Sequence, residues 1–71
     1  MGVKLRQEQG YWSVEDENGQ LSSHKFEDCV RFMISSCGIE SEEIEVAYAE
    51  LKRRNATLAV FGGAGKLLYV K

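Results

Sequence analysis

The chain predicts an α+β fold of order β-β-α-α-β-β, an antiparallel sheet with a helical hairpin packed on one face. Three observations carry that expectation. Short β-prone runs stand at both ends of the chain. Two central stretches repeat apolar residues at i, i+3, i+4 and i+7, as helices with one buried face do. Only Gly38, Ile39 and Glu40 separate those stretches, so the two helices turn back on one another and share a core. Seventy-one residues make a single domain, 1–71, and a chain this short buries only ~60% of the surface its unfolded form exposes.

Val3 to Glu8 alternates, with Val3 and Leu5 on one side and Lys4 and Arg6 on the other, the pattern of a half-buried strand. Gly10 punctuates it. Tyr11 to Val14 is β-prone and places Trp12 and Val14 together. Glu15 to Gly19 reads as a turn. Two hairpins are open. One turns at Gln9-Gly10, and the other at Asn18-Gly19 with Gln20 to Ser22 as a short third strand. Asn-Gly is the stronger turn signal, but the run beyond it holds little apolar pattern. The first hairpin is therefore preferred, with the Asn-Gly turn leading into a helix.

Ser23 is the expected cap of that helix, which runs to Cys37 with Phe26, Cys29, Val30, Met33, Ile34 and Cys37 as its apolar stripe. Gly38 follows at the usual stop position. The second helix spans Ser41 to Asn55. Ser41 is its expected N-cap. Glu42, Glu43 and Glu45 stand near its start and Lys52, Arg53 and Arg54 at its end, an order that complements a helix dipole. Ile44, Ala47, Tyr48 and Leu51 give it one apolar face. Ile44, Val46 and Tyr48 also alternate as a strand would, but the charge order favours helix.

Ala56 to Phe61 and Leu67 to Val70 are short apolar runs around Gly62-Gly63-Ala64-Gly65-Lys66, which reads as a C-terminal hairpin. Leu58, Val60, Leu68 and Val70 cannot all point the same way as Phe61, Leu67 and Tyr69. These strands are thus expected to be covered on both faces, or on one face with a partner on the other.

No metal, cofactor or catalytic constellation is expected. The glycine run lacks the following helix and the hydroxyl residue that a phosphate loop needs. His24 has no serine, cysteine or acid spaced with it as a triad partner. Cys29 and Cys37 lie eight residues apart, ~12 Å along one helix and too far for a bridge. They read as structural thiols in a reducing compartment. The acids Glu15, Asp16, Glu17, Glu40, Glu42, Glu43 and Glu45 lack the ligand pattern of a calcium loop.

Net charge is −2, but its distribution is uneven. Residues 7 to 45 hold ten acids against Lys25 and Arg31, a balance of −8, and residues 46 to 71 carry +4. Such a dipolar chain suits either a solvated surface or an assembly in which opposite ends meet. No apolar run approaches the ~20 residues of a membrane span and no signal peptide is visible, so a cytoplasmic protein is expected.

The expected function is a small non-enzymatic protein-interaction or regulatory module, with self-association as a homodimer one form of it. On a helical wheel Phe32 lies ~120° from the centre of its stripe. Val46 stands opposite Ile44, beside Ala49 and Arg53. Exposed apolar groups on a small acidic domain predict an interface, so Phe32, Val46, Ala49 and Arg53 are the interaction candidates. The alternative is a nucleic-acid-binding accessory protein. It would grip phosphate with Lys52, Arg53, Arg54 and Lys66, with Lys71 extending the patch and Tyr69 or Trp12 stacking on bases.

Overall fold

A computed structural model of the protein describes residues 2–71. The fold is α+β, with order β-β-β-α-α-β-β: β1 Val3–Glu8, β2 Tyr11–Asp16, β3 Gly19–Ser23, α1 Phe26–Ser35, α2 Ser41–Arg54, β4 Leu58–Phe61 and β5 Leu67–Val70. The strands form one antiparallel sheet in the order β3-β2-β1-β4-β5, and both helices pack on one face of it.

The extra strand corrects the expected order, because both open hairpins form. β1 and β2 turn at Gln9-Gly10, with Glu8 opposite Tyr11. β2 and β3 turn at Glu17-Asn18, with Asp16 opposite Gly19. The Asp16 carboxylate accepts the N–H groups of Asn18 and Gly19 at 2.9 and 3.0 Å, so an acidic side chain holds the turn. β3 is an edge strand. It needs only one inward apolar residue, Leu21, which pairs with Val14.

Ser23 consequently ends β3, and α1 starts after Lys25 with no side-chain cap. Its last residue is Ser35, so Cys37 lies beyond the helix, and both cysteines are free thiols. Along α1 the inward direction differs from the one the stripe implied. Cys29 and Met33 are fully buried, Phe32 is half-buried against the core, and Ile34 is 47% exposed. The wheel locates a stripe but not the sheet beneath it, and here the sheet draws in the Phe32 side of the helix.

α2 is a helix, not a strand, and buries Ile44, Ala47 and Leu51. Glu40 occupies the N-cap position and no side chain caps the helix start, so the Ser41 hydroxyl does not do what its position suggested. Asn55 closes the other end in the left-handed conformation, φ 52°. The Ala56 N–H then reaches the Leu51 carbonyl at 2.9 Å, and Ala56 packs against the same core as Leu51, a recognised helix stop.

The parity conflict in the last two strands is resolved by an irregularity in their pairing. Val60 opposes Tyr69, but Phe61 opposes Leu67, with the register shifted between them. A bulge of this kind lets residues at odd spacing share a face. Leu67 and Val70 therefore both turn toward the helices, where they join the core, and Leu68 and Tyr69 are left at 63% and 49% exposure.

The core lies between sheet and helices, with Leu5, Val14, Cys29, Met33, Ile39, Ile44, Leu51 and Phe61 its largest buried side chains. The β4–β5 loop locks onto the α1–α2 connection through Gly65, which has φ +81°. A Cβ there would lie 2.8 Å from the Gly38 carbonyl oxygen.

Candidate interaction surfaces

The sheet has helices on one side only, so its other face meets solvent. Alternation along β1 puts Lys4 and Arg6 on that outer face. Register then places Lys4 beside Val60 and Arg6 beside Leu58, with Tyr69 opposite Val60 on β5. A Cβ on Gly62 would touch the Leu68 side chain at 3.4 Å, so Leu68 covers the start of the β4–β5 loop. Leu58, Val60, Leu68 and Tyr69 thus form an apolar corner, in which Val60 is itself buried at 8% exposure and Leu68 and Tyr69 supply the open surface. The β2–β3 half of the same face carries Ser13, Glu15, Gln20 and Ser22, with Tyr11, 40% exposed, at its end. Sequence reasoning found the two-sided strands but not this corner. The signal was the odd spacing of Leu67 and Val70.

Lys4 and Lys71 flank the corner and Lys66 precedes it in the loop, and none of them makes an ion pair among the described residues. The Lys71 ammonium lies 6.0 Å from the centre of the Tyr69 ring. Arg6 differs, because it pairs with Glu15 at 3.6 Å.

The predicted interaction residues do not form one patch. Phe32 is packed against the core, which corrects its expected exposure. Val46, at 51% exposure, Ala49 and Arg53 all lie exposed on α2. Arg53 binds Glu50 with two nitrogens, at 2.6 and 3.2 Å.

The predicted phosphate-gripping set is split. Arg53 and Arg54 both engage Glu50, Arg54 at 3.1 Å. The hydrogen bond from Arg53, with the two guanidinium charges, holds the Glu50 carboxyl below its ordinary range. The Lys52 ammonium sits 5.3 Å from the Tyr48 ring centre. Lys66 lies elsewhere. Its neighbour Leu67 is bound to Glu43, in the first turn of α2, whereas Lys52, Arg53 and Arg54 occupy the last turn. Lys71 is the lysine at that last-turn end, next to Val70, whose carbonyl Arg54 reaches at 3.3 Å.

A depression runs between the helices. Phe26, Val30, Ser41, Ile44, Glu45 and Tyr48 line a groove of about 200 Å³. Its floor continues an aromatic cluster that joins three elements. Phe26 lies 4.6 Å from Trp12 and 4.7 Å from Tyr48, centre to centre, and Trp12 and Tyr48 are 5.8 Å apart. These are favourable distances for offset and tilted rings. Ile34 stands one helical turn beyond Val30, exposed at the end of the same line.

His24 is exposed, and its Nδ1–H donates to the Gly10 carbonyl at 2.6 Å, so it ties the start of α1 to the β1–β2 turn. The Cys37 thiol donates to the Asp16 carboxylate at 3.4 Å. Burial first, then that hydrogen bond and the Asp16 charge, push its pKa from 9.0 to about 11. Burial and Asp28 likewise raise Cys29. Neither environment favours a thiolate. The glycine run forms a closed loop, in which the Gly62 N–H reaches Lys66 and the Gly65 N–H reaches Gly62. Among the described residues no cluster of acids, cysteines and histidine is placed to hold a metal ion. Among the described residues no helix is long and apolar enough to cross a membrane.

The chain matches no family model, and no curated protein or solved structure resembles it at a significant level.

Proposed function

We propose that this chain is a small interaction module without catalytic activity of its own, and that it docks a protein through the outer face of β4 and β5. One observation carries the reading: Leu68 and Tyr69 are exposed at 63% and 49% beside Leu58 and Val60, on the sheet face that no helix covers. Scattered apolar residues are ordinary on a surface, but a contiguous set rimmed by charge is the mark of a contact. The rim of Lys4, Lys66 and Lys71 selects a partner with carboxylates around an apolar centre. The test is affinity capture from the native host with wild-type protein and the Leu68→Lys variant. A bound protein retained by the wild type and lost by the variant supports the reading. Capture that is indifferent to Leu68→Lys overturns it.

The nucleic-acid alternative draws on Lys52 and Lys71, which make no ion pair among the described residues and stand at one end of the molecule. It has less support, because Arg53 and Arg54 share Glu50 and Lys66 lies at the other end of α2. It requires binding of labelled DNA or RNA at low salt that weakens steeply as salt is added. No retardation at low salt would end it.

A further inference from the structure

We infer that the protein docked at the sheet corner is a second copy of this chain, whose interhelical groove receives Leu68, with Tyr69 resting against the groove's rim. The inference rests on the interaction-module reading and names the partner.

Size and chemistry match. The groove of about 200 Å³ is lined by Phe26, Val30, Ile44 and Tyr48, with Ser41 and Glu45 at its edge. An apolar cavity of about 150 Å³ accepts benzene, so this groove holds a leucine side chain or a phenol ring. Leu68, at 63% exposure, is the most exposed large apolar side chain among the described residues.

Charge matches as well. Lys4 beside Val60, Lys71 over Tyr69 and Lys66 just before β5 edge the protruding pair, and on the α2 side the Arg54–Glu50 ion pair lines the same depression. Glu45 edges the groove, and Glu27 adjoins it through its helical neighbour Val30. Neither carboxylate has an ion-pair partner among the described residues. Docking gives both sets their counter-charges, while Lys52 remains over Tyr48 at the end of the groove. A two-fold contact of sheet corner on sheet corner would instead set the lysines against their own copies.

The two surfaces share no residue: the groove lies between the helices, whereas Leu68 and Tyr69 lie at the β5 edge, in a depression that Glu50 and Arg54 of α2 also line. Each copy therefore offers one donor and one acceptor surface, and the contact is head to tail. Such association continues into chains or closes into rings rather than stopping at a symmetric pair.

Sedimentation equilibrium tests this. The wild type should show an average mass above that of the 8.0 kDa chain, rising steadily up to about 1 mM, since a contact this small is weak. Leu68→Lys removes the protruding surface and Glu45→Lys spoils the groove. Both positions are exposed, so the fold is kept, and circular dichroism verifies it. Each variant alone should be monomeric. Mixed, they should form a 1:1 dimer and nothing larger, because one intact surface of each kind survives. A monomeric wild type, self-association retained in either variant, or a mixture that stays monomeric overturns the inference. If the wild type is monomeric but host capture still depends on Leu68, self-docking falls and the interaction-module reading stands.

Discussion

The Glu43 carboxylate accepts the backbone N–H of Leu67 at 2.8 Å, across 24 residues of sequence. At the other end of the same helix Arg54 donates to the Val70 carbonyl at 3.3 Å. α2 thus satisfies groups at both ends of β5, the outermost strand on that side, where unpaired backbone would otherwise invite another chain. Glu43→Ala leaves a part-buried N–H without its acceptor and should cost about 1–3 kcal/mol. Glu43→Gln keeps an oxygen in place and should cost less. Urea denaturation followed by circular dichroism measures both, and equal losses would show that the carbonyl of glutamine does not replace the contact.

How far this arrangement is legible in the sequence depends on the element. α2 is readable because two independent signals agree: acids then bases along its length, and apolar residues every three or four. β3 is hardly readable, since Leu21 is its only apolar residue facing inward and an edge strand needs no more. α1 is readable as a helix but not in its rotation. Phe32 and Ile34 exchange their expected roles because the wheel knows nothing of where the sheet lies. The outer corner is hidden for a related reason. A register shift, invisible in composition, decides that Leu67 and Val70 both turn in and that the adjacent Leu68 and Tyr69 are both left outside.

Phe32 and Val46 should therefore respond differently to truncation. Phe32→Ala removes a ring packed against the core and should cost about 1–3 kcal/mol, below the full cost of a completely buried ring. Val46→Ala, at an exposed helix site, should stay within about 0.5 kcal/mol. Thermal or chemical unfolding compares them directly. Similar losses would contradict the burial described for α1.

Gly65 should be far less tolerant of a methyl group than Gly10. Both have positive φ, +81° and +83°, but a Cβ at Gly10 meets nothing within 4 Å and one at Gly65 meets the Gly38 carbonyl at 2.8 Å. Gly10→Ala should cost about 1–2 kcal/mol from its backbone conformation alone. Gly65→Ala must also push the β4–β5 loop off the α1–α2 connection and should cost more. Melting temperatures of the two variants provide the comparison.

The Cys37 thiol should react slowly at pH 8. Its pKa is pushed from 9.0 to about 11, so the folded protein holds the proton that an unfolded chain releases. The contribution to stability is full below pH 9 and is lost as pH rises from 9 toward 11, because the unfolded state binds fewer protons there. Asp16→Asn removes the charge and the carboxylate acceptor, lowers the pKa and should speed modification by a thiol reagent. An unchanged rate would mean that burial alone protects the sulfur.

Trp12, the single tryptophan of the chain, belongs to the ring cluster beneath the interhelical groove, with Tyr48 5.8 Å away and Phe26 nearer still. Its fluorescence is in consequence a native optical probe of that groove. Light absorbed by Tyr48 can pass to the indole, and any guest that wedges the two helices apart alters both the colour and the yield of emission. Occupancy can thus be followed in unlabelled protein, with no dye to perturb the surface under study.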